Sequence, residues 1–348
     1  MRVLLLHEMS GVHTELKDGL QKIGVDASIA TYGDGWKKFG SDFDIGTASN
    51  TLASNLGRLL KQTSFVQKLK DFEVIQSISP NPFYRPIGAL LERIAFSGTR
   101  KIIYVAAGSD AIYRKYVRGL EYFPPHDWFE NSSKVKRLTK MLSHVDSIVP
   151  VCWEYKYCMQ QAGLKTTDLM PFPINVENKK VGKLGRSGKV KFFHPLNRDD
   201  FLNYDFKGTK IIKQAFSELS EKYKDVAEVT CSGGMSHDKY DALTDQMDVI
   251  VDQAYSFTYG MSAAYGLAKG KIVLSGLEQV AKDCEFYRSC PIINIKPSVE
   301  DVKNKIEYVL RNRDHLISFS EASRSFAEKY HAHTNVARRF LDIYSNTS

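Results

Sequence analysis

The chain has 348 residues, which is enough for two domains of about 170 residues, each with its own hydrophobic core. Hydrophobic residues make up 43% and charged residues 25%, a balance typical of globular proteins that excludes a disordered or low-complexity chain. The 48 basic and 40 acidic residues give a net charge of +8, which favours anionic ligands or surfaces.

Targeting and cysteine patterns narrow the class of protein further. The apolar run at residues 3–6 is too short for a signal peptide or a membrane span, and no other run has the length of a span. The five cysteines are scattered without a CxxC pair, so we expect reduced thiols and no structural zinc site. Together these features predict a cytoplasmic protein.

The first half of the chain alternates between strand and helix patterns. Strands are predicted at residues 2–7, 27–31, 73–78, 101–107 and 147–151. Residues 12, 16, 20 and 23 place apolar side chains on one face of a helix that Gly24 is suited to end, and further helices are predicted at 87–95 and 134–142. Such alternation is typical of a parallel sheet with right-handed crossovers.

The alternation stops at residues 175–189, which are rich in Asn, Lys and Gly, and then starts again. Further strands are predicted at residues 189–194, 227–231, 248–252, 271–275 and 291–295, with helices at 209–223, 261–268 and over most of 298–345. The sequence therefore predicts an α/β protein with two Rossmann-like parallel-sheet domains that face a central cleft. The domains are expected at 1–175 and 189–328, joined by a linker at 176–188.

Residues that follow the strands are the candidates for a site, because parallel sheets bind ligands beyond the carboxyl ends of their strands. Gly11 lets a ligand approach the N-terminus of the first helix or simply makes a tight turn, and the absence of GxGxxG argues against a dehydrogenase. Asp110, next to Ser109, either accepts hydrogen bonds from ligand hydroxyls or caps the next helix. His126 is either a sugar contact or a solvent-facing loop residue.

The second half offers basic residues and a glycine at a helix start. Arg198 and Lys207 follow its first strand, and two cations in one cleft neutralise a diphosphate whose charge grows as its bond breaks. The alternative is that both are ordinary surface charges. Gly260 precedes a helix whose first amides form a ready phosphate cradle.

Two stretches concentrate the positive charge, at residues 114–140 and 179–191. They are interpreted either as a solvated helix face with a basic linker, or as a surface for a phosphate-bearing ligand, an anionic membrane or nucleic acid. Zinc-finger spacing, RNP motifs and basic heptads are all missing from the sequence, so nucleic acid is not an expected partner.

Four segments together resemble GT-B glycosyltransferases of the family 4 group, whose members are retaining and independent of metal ions. Residues 1–36 resemble the opening strand–loop–helix, 197–216 the "R…KG" segment, 259–276 the "FG…EAMAxGxPVI" signature, and 291–314 the closing helical segment. One departure is clear: Phe257 and Tyr265 occupy the positions of the two signature glutamates. In the family the second glutamate contacts the donor ribose, and a tyrosine hydroxyl does not replace a carboxylate that accepts two hydrogen bonds.

The resemblance implies transfer of a sugar from a nucleotide-diphosphate donor, of UDP or GDP type, to a saccharide or lipid-linked acceptor in surface polysaccharide or glycoconjugate synthesis. Arg198 and Lys207 would act in catalysis by stabilising the departing diphosphate. The donor would contact these residues: Gly11, Asn197, Gly233, Asp252, Gly260, Met261, Ser262 and Tyr265. The acceptor would face His13, Ser109, Asp110 and His126.

Three further expectations follow from the resemblance. The last helix, within residues 329–348, would pack back on the first domain. No cofactor or metal would be needed, since two basic side chains take the place of Mg²⁺. A lipid-linked acceptor would bring the protein to the inner face of the membrane through its basic surface. The competing interpretation, based on the two missing glutamates, is a catalytically silent GT-B protein that serves as a scaffold or carbohydrate-binding partner.

Overall fold

The computed structural model describes most of the chain. The described residues are 1–31, 37–46, 51–80, 83, 88, 92, 94, 100–125, 132–182, 184–185, 188–196 and 205–346. The predicted helix at 87–95 lies largely outside them. The predicted site residues His126, Asn197 and Arg198 also lie outside the described residues.

The first half of the chain, residues 1–175, forms a parallel sheet of six strands in the order β3-β2-β1-β4-β5-β6. Its strands are β1 Arg2–Leu6, β2 Asp26–Thr31, β3 Phe43–Asp44, β4 Val74–Ser77, β5 Lys101–Ala106 and β6 Ser147–Pro150. Its described helices are α1 Val12–Lys22, α2 Leu52–Val66, α3 Ala111–Tyr116, α4 Ser132–Leu142 and α5 Trp153–Gln161. From β1 the chain runs through β2 to β3 at one edge of the sheet. It then crosses back to β4 on the other side of β1 and continues to β6 at the opposite edge.

The second half, residues 189–328, forms a parallel sheet of five strands in the order β11-β10-β9-β7-β8. Its strands are β7 Val190–Leu196, β8 Ala227–Gly233, β9 Val249–Val251, β10 Ile272–Ser275 and β11 Ile293–Asn294. The helices from here to the C-terminus are α6 Thr209–Lys222, α7 His237–Asp245, α8 Met261–Ala268, α9 Glu285–Arg288, α10 Val299–Arg311, α11 Leu316–Phe326 and α12 His333–Asn346. The prediction of two Rossmann-like parallel sheets is confirmed.

The inner strands of both sheets are covered on both faces, which explains why β1 and β9 are apolar without alternation. Residues 3–6 of β1 are all completely buried, and so are all three residues of β9. One hydrophobic core continues across the two halves and includes Leu5 of β1, Ile250 of β9 and Tyr344 of α12. The halves are therefore packed against each other and enclose the space between their strand ends.

The C-terminal helix α12 packs on α1 of the first half. Gly19 of α1 makes the close approach possible, since a Cβ atom there would lie 2.3 Å from the carbonyl oxygen of His333. At the far end of α12, the Tyr344 hydroxyl donates to Oε1 of Gln76 in β4 at 2.7 Å. None of the described helices combines the length and the hydropathy that a membrane crossing requires.

Candidate functional site

A cavity of about 720 Å³ lies between the carboxyl ends of the two sheets. It borders the points where the strand order reverses, between β1 and β4 and between β7 and β9, which is where such sheets bind ligands. Predicted site residues that line it are Ser109, Lys207, Gly233, Asp252, Gly260, Met261, Ser262 and Tyr265. The structure therefore brings most of the predicted donor residues to one place.

Basic side chains outnumber carboxylates in the wall of this cavity. The cations among its described residues are Lys37, Arg114, Lys207, Lys210 and Lys213, and the carboxylates are Asp205 and Asp252. The exposed Lys210 and Lys213 form no ion pair with a residue that the structure describes. The balance of charge suits an anionic ligand.

The N-terminus of α1 is occupied by a carboxylate of the chain itself. Oε1 of Glu8 accepts from the Gly11 amide at 2.8 Å, and Oε2 accepts from the Thr14 amide at 2.7 Å. The expectation that Gly11 presents its amide to a donor is therefore wrong. Gly11 has a positive φ of 93°, and a Cβ atom there would lie 2.5 Å from the Tyr265 hydroxyl oxygen, so its role is to turn the chain and admit Tyr265.

Carboxylates also cap α3 and α6. Asp110 accepts from the Tyr113 amide at 2.8 Å and from the Tyr104 hydroxyl at 2.9 Å, and its side chain is buried. Of the two roles open to Asp110 in the sequence, the structure shows the helix cap, and the expected acceptor contact is wrong. Asp205 accepts from the Thr209 amide and, at 2.8 Å, from the Lys210 amide.

Helix α8 differs from these three helices because none of the residues that the structure describes caps it with a side chain. Its N-cap, Gly260, is in extended conformation and lines the cavity with Met261 and Ser262. Backbone N–H groups and the helix dipole at such a terminus attract anions. With respect to the described residues, α8 is therefore the one of these four helices whose first amides remain open to a ligand.

Lys207 lies beside this terminus and is held by two neighbours. Its Nζ atom donates to Oδ1 of Asp252 at 2.7 Å and to Oγ of Ser262 at 3.3 Å. Both members of the ion pair are buried, with 8% of the Lys207 and 1% of the Asp252 side chain exposed. A lysine ammonium has three N–H donors, so one remains for a ligand in the cavity.

Tyr265 links the cavity to the first half of the chain. Its hydroxyl donates to Oε1 of Glu15 in α1 at 2.9 Å, and Oε2 of Glu15 accepts from the Asn175 amide at 2.6 Å. Burial raises the pKa of Tyr265 well above its usual value, and the neighbouring Glu15 raises it further. Burial also raises the pKa of Glu15. A carboxylate from the first half thus lies against one of the two positions where the signature lacks a glutamate.

The other such position, Phe257, lies between aromatic rings of the first half. Its ring centroid is 4.6 Å from that of Tyr122 and 5.3 Å from that of Trp153. The residues on either side of Phe257 are tied by a second buried glutamate, whose pKa burial raises: the Ser256 and Thr258 hydroxyls donate to Glu154 at 2.6 and 2.7 Å. Phe257 therefore joins the two halves and does not line the cavity.

Neither Glu15 nor Glu154 was a candidate from the sequence. Both lie on helices, where an acidic residue typically faces solvent. Tyr265 is 250 positions from Glu15 in the chain, and Ser256 and Thr258 are 102 and 104 positions from Glu154. The sequence signal that could have indicated them is the replacement of both signature glutamates, which suggests that carboxylates from another part of the chain lie near these positions.

His13 does not belong to the site. It is completely buried, with Nδ1 2.7 Å from the carbonyl oxygen of His7 and Nε2 3.2 Å from Nε2 of Gln76. Burial lowers the pKa of His13 to about 4, so the ring is neutral at pH 7. The expected acceptor contact is therefore wrong, because this histidine is part of the packing under α1. Ser109 does line the cavity, beside Gly108.

Comparison with solved structures gives the fold a name. The chain is similar to HepE of Anabaena, in a complex with UDP and glucose, with a TM-score of 0.67 and 13% identity over 99% of both chains. Sucrose-phosphate synthase of Thermosynechococcus elongatus has a TM-score of 0.67 and 13% identity, over 99% of this chain and 98% of that one. A glycosyltransferase of Rickettsia africae has a TM-score of 0.61 and 14% identity over the same shares. The fold is therefore GT-B.

No protein-family model matches the sequence, and no curated protein matches it by sequence.

Proposed function

We propose that the protein is a glycosyltransferase that moves a sugar from a nucleotide-diphosphate donor to an acceptor. The observation that carries this proposal is the N-terminus of α8, which no described side chain caps and which lies in the cavity next to the buried Lys207. Together they hold and neutralise a diphosphate. The similar HepE is described in complexes with UDP and with UDP-glucose, which supports a donor of this class and leaves UDP and GDP both open.

The site residues predicted from the sequence divide the work of the transfer. The amides of Met261 and Ser262 hold the phosphates, and Lys207, with Arg198, stabilises the charge that develops on the departing diphosphate. Tyr265 lies near the ribose, and Ser109 and His126 face the acceptor. The reaction retains the anomeric configuration and uses the two basic side chains in place of a metal ion.

The acceptor is a saccharide or a lipid-linked molecule in surface polysaccharide or glycoconjugate synthesis, and the protein works in the cytoplasm. A basic surface near the cavity supports contact with an anionic membrane. It is formed by α3, the short turn Val117–Gly119 that follows it, and α4, which packs on α3. These segments carry the following exposed cations: Lys115, Arg118, Lys134, Lys136, Arg137 and Lys140. Neither helix contains an acidic residue. Vesicles with anionic lipids should bind the protein and neutral vesicles should not, and binding to neutral vesicles would contradict this part of the proposal.

The specific alternative is a GT-B protein that binds sugars without transferring them. Phe257 and Tyr265 at the positions of the signature glutamates favour it, since the aromatic groups supply no carboxylate to a donor. The glycosyltransferase is favoured because Lys207 and the α8 terminus remain in place in the cavity. Formation of a glycosylated product from donor and acceptor distinguishes the two functions, and NMR of the anomeric proton shows whether configuration is retained.

The first test is a thermal-shift panel with UDP, GDP, ADP, CMP and their sugar conjugates. A ligand at 100 times its dissociation constant stabilises the folded state by about 2.7 kcal/mol. We expect one nucleotide family to raise the melting temperature of the wild type and to lose that effect in Lys207→Ala. Lys222→Ala is the matched control, because Lys222 is at the other end of α6 and exposed to solvent. If every nucleotide leaves the wild type unchanged, the proposal fails.

A further inference from the structure

We propose that Asp252 determines which sugar the donor carries, because its Oδ2 atom accepts a hydrogen bond from a hydroxyl group of the transferred sugar. The inference rests on the proposed function, since it assigns a role within the same donor site. It concerns the sugar and not the nucleotide, so the two are separable by experiment.

The first observation is a buried carboxylate oxygen without a partner. Only 1% of the Asp252 side chain is exposed. Oδ1 accepts from Lys207, whereas Oδ2 has no hydrogen-bond partner among the residues that the structure describes. Leaving a buried charged oxygen without a hydrogen bond is costly, and native proteins retain such groups mainly where they have a function. Because Asp252 lines the cavity, a ligand there is able to supply the missing donor.

The other carboxylates near the site are already occupied. Asp205, the second carboxylate in the described wall of the cavity, accepts amide hydrogen bonds from α6 through both oxygens. Glu15 and Glu154 also use both oxygens, and neither is part of the described wall. Within the described wall, Oδ2 of Asp252 is therefore the carboxylate oxygen that remains for a ligand.

The surroundings of Oδ2 restrict what that ligand group is. A Cβ atom on Gly260, at the start of α8, would lie 3.5 Å from Oδ2, so the oxygen is next to the terminus that attracts phosphates. A carboxylate repels a phosphate, so the group facing Oδ2 is a neutral hydrogen-bond donor attached close to the phosphates. The hydroxyl groups of a sugar on a diphosphate meet both conditions.

Lys207 sets the boundary between the two parts of the donor. Its ammonium lies between Oδ1 of Asp252 and Oγ of Ser262, the second residue of α8. With the phosphates on the α8 side of Lys207, the sugar extends toward Asp252. A hydroxyl that donates to a carboxylate forms a charge-assisted hydrogen bond, which is stronger than one between neutral groups and strict about the presence of that hydroxyl.

The test is isothermal titration of the wild type and Asp252→Asn with UDP and with UDP-glucose. If another nucleotide gives the shift in the thermal panel, that nucleotide and its glucose conjugate are used. Asparagine keeps an oxygen for Lys207 and places an N–H₂ group or an uncharged acceptor in the cavity. We expect UDP-glucose to bind at least about tenfold more weakly to Asp252→Asn, while the affinity for UDP changes less than about threefold. The ratio of the two affinities is the readout.

Asp205→Asn is the matched control, because it removes the other carboxylate of the cavity wall and should leave that ratio unchanged. A series of singly deoxygenated UDP-glucose analogues then identifies the hydroxyl, since the analogue that lacks it binds wild type and Asp252→Asn equally. If every analogue is still weakened by Asp252→Asn, the inference is overturned.

Two further results overturn the inference and leave the proposed function intact. Equal loss of UDP and UDP-glucose in Asp252→Asn assigns Asp252 only to the positioning of Lys207. Equal affinities in variant and wild type show that Oδ2 contacts no part of the donor. Failure of the wild type to bind any nucleotide is a different result, because it removes the proposed function itself.

Discussion

The two halves of the molecule share an architecture but use their helix N-termini in different ways. In the first half, Glu8 and Asp110 cap α1 and α3 with carboxylates. In the second half, Asp205 caps α6, whereas no side chain among the described residues caps α8. A parallel sheet offers helix N-termini at every strand end, so topology alone does not locate an anion site. The carboxylates at α1, α3 and α6 take up helix amides that a phosphate would otherwise bind.

The largest expected effect in this comparison is on the rate of sugar transfer when Lys207, beside α8, is replaced. Lys207→Ala should lower the rate of sugar transfer about 10²–10³-fold, because the departing diphosphate loses a positioned cation. Release of the nucleotide in the presence of donor and acceptor measures it, with Lys222→Ala as the control. Activity within tenfold of the wild type would show that the α8 region is not the diphosphate site.

Acid should destabilise both halves through buried histidines. Burial lowers the pKa of His13 in the first half and of His194 in the second to about 4, from 6.5. Stability from each is complete above pH 6.5 and is lost as the pH falls through 4, by up to about 3 kcal/mol each. Glu15 and Glu154 act in the opposite direction, because their raised pKa values give stability that is lost as the pH rises.

Urea unfolding at pH 7, 6, 5 and 4 measures this pH dependence. His13→Asn keeps a side-chain N–H donor and removes one buried titrating group, so its free energy of unfolding should fall less steeply below pH 6.5. A slope equal to that of the wild type would mean that the pKa of His13 is the same in the folded and unfolded states.

Substitutions at two glycines of the first half distinguish the cost of backbone strain from the cost of a contact between the halves. Gly11 and Gly24 have φ values of 93° and 86°, but only a Cβ atom at Gly11 meets the Tyr265 hydroxyl, at 2.5 Å. Either substitution to Ala should cost about 1–2 kcal/mol for the left-handed conformation. Gly11→Ala should cost at least about 1 kcal/mol more, because Tyr265 has to move.

Thermal unfolding of both variants measures the difference. Tyr265→Phe removes the crowded oxygen and should recover part of the loss in Gly11→Ala but none in Gly24→Ala. Equal costs at the two glycines would show that Tyr265 does not press on the Gly11 turn.

The smallest expected effect is that of the cap on α1. Glu8→Gln removes a negative charge from the helix terminus and should lower the free energy of unfolding by about 0.5–1 kcal/mol. The nucleotide-induced shift should remain as in the wild type, because the first-half terminus is not the phosphate site. A weaker shift in Glu8→Gln would place part of the donor at α1.

The sequence was informative where a pattern is local. The apolar spacing on residues 12–23 predicted α1, which is Val12–Lys22, and the glycine before residue 261 marked the start of α8. The sequence allowed two roles for Asp110, and the local one, capping the helix α3 that follows it, is present in the structure. Such features need only the geometry of a few neighbouring residues.

Long-range pairings could not be predicted in the same way. The Tyr265–Glu15 and Phe257–Trp153 contacts join residues more than 100 positions apart, and nothing local distinguishes Glu15 from an exposed helix residue. His13 was misassigned for a related reason, because the packing of α12 and β4 over α1 decides its burial. Strand β3 has two residues, too few for a pattern.

The return of the chain to the first half has a mechanical consequence. The polypeptide passes between the halves once near Ile174 and again near Ala332, and there the two passages are joined by backbone hydrogen bonds. The Ile174 amide donates to the carbonyl of His331 at 2.7 Å, and the His333 amide donates to the carbonyl of Ile174 at 2.8 Å. Two separate tethers would allow the halves to slide as well as rotate. Because the two passages are bonded to each other, they form one connection, and a rotation of one half against the other would turn about this point.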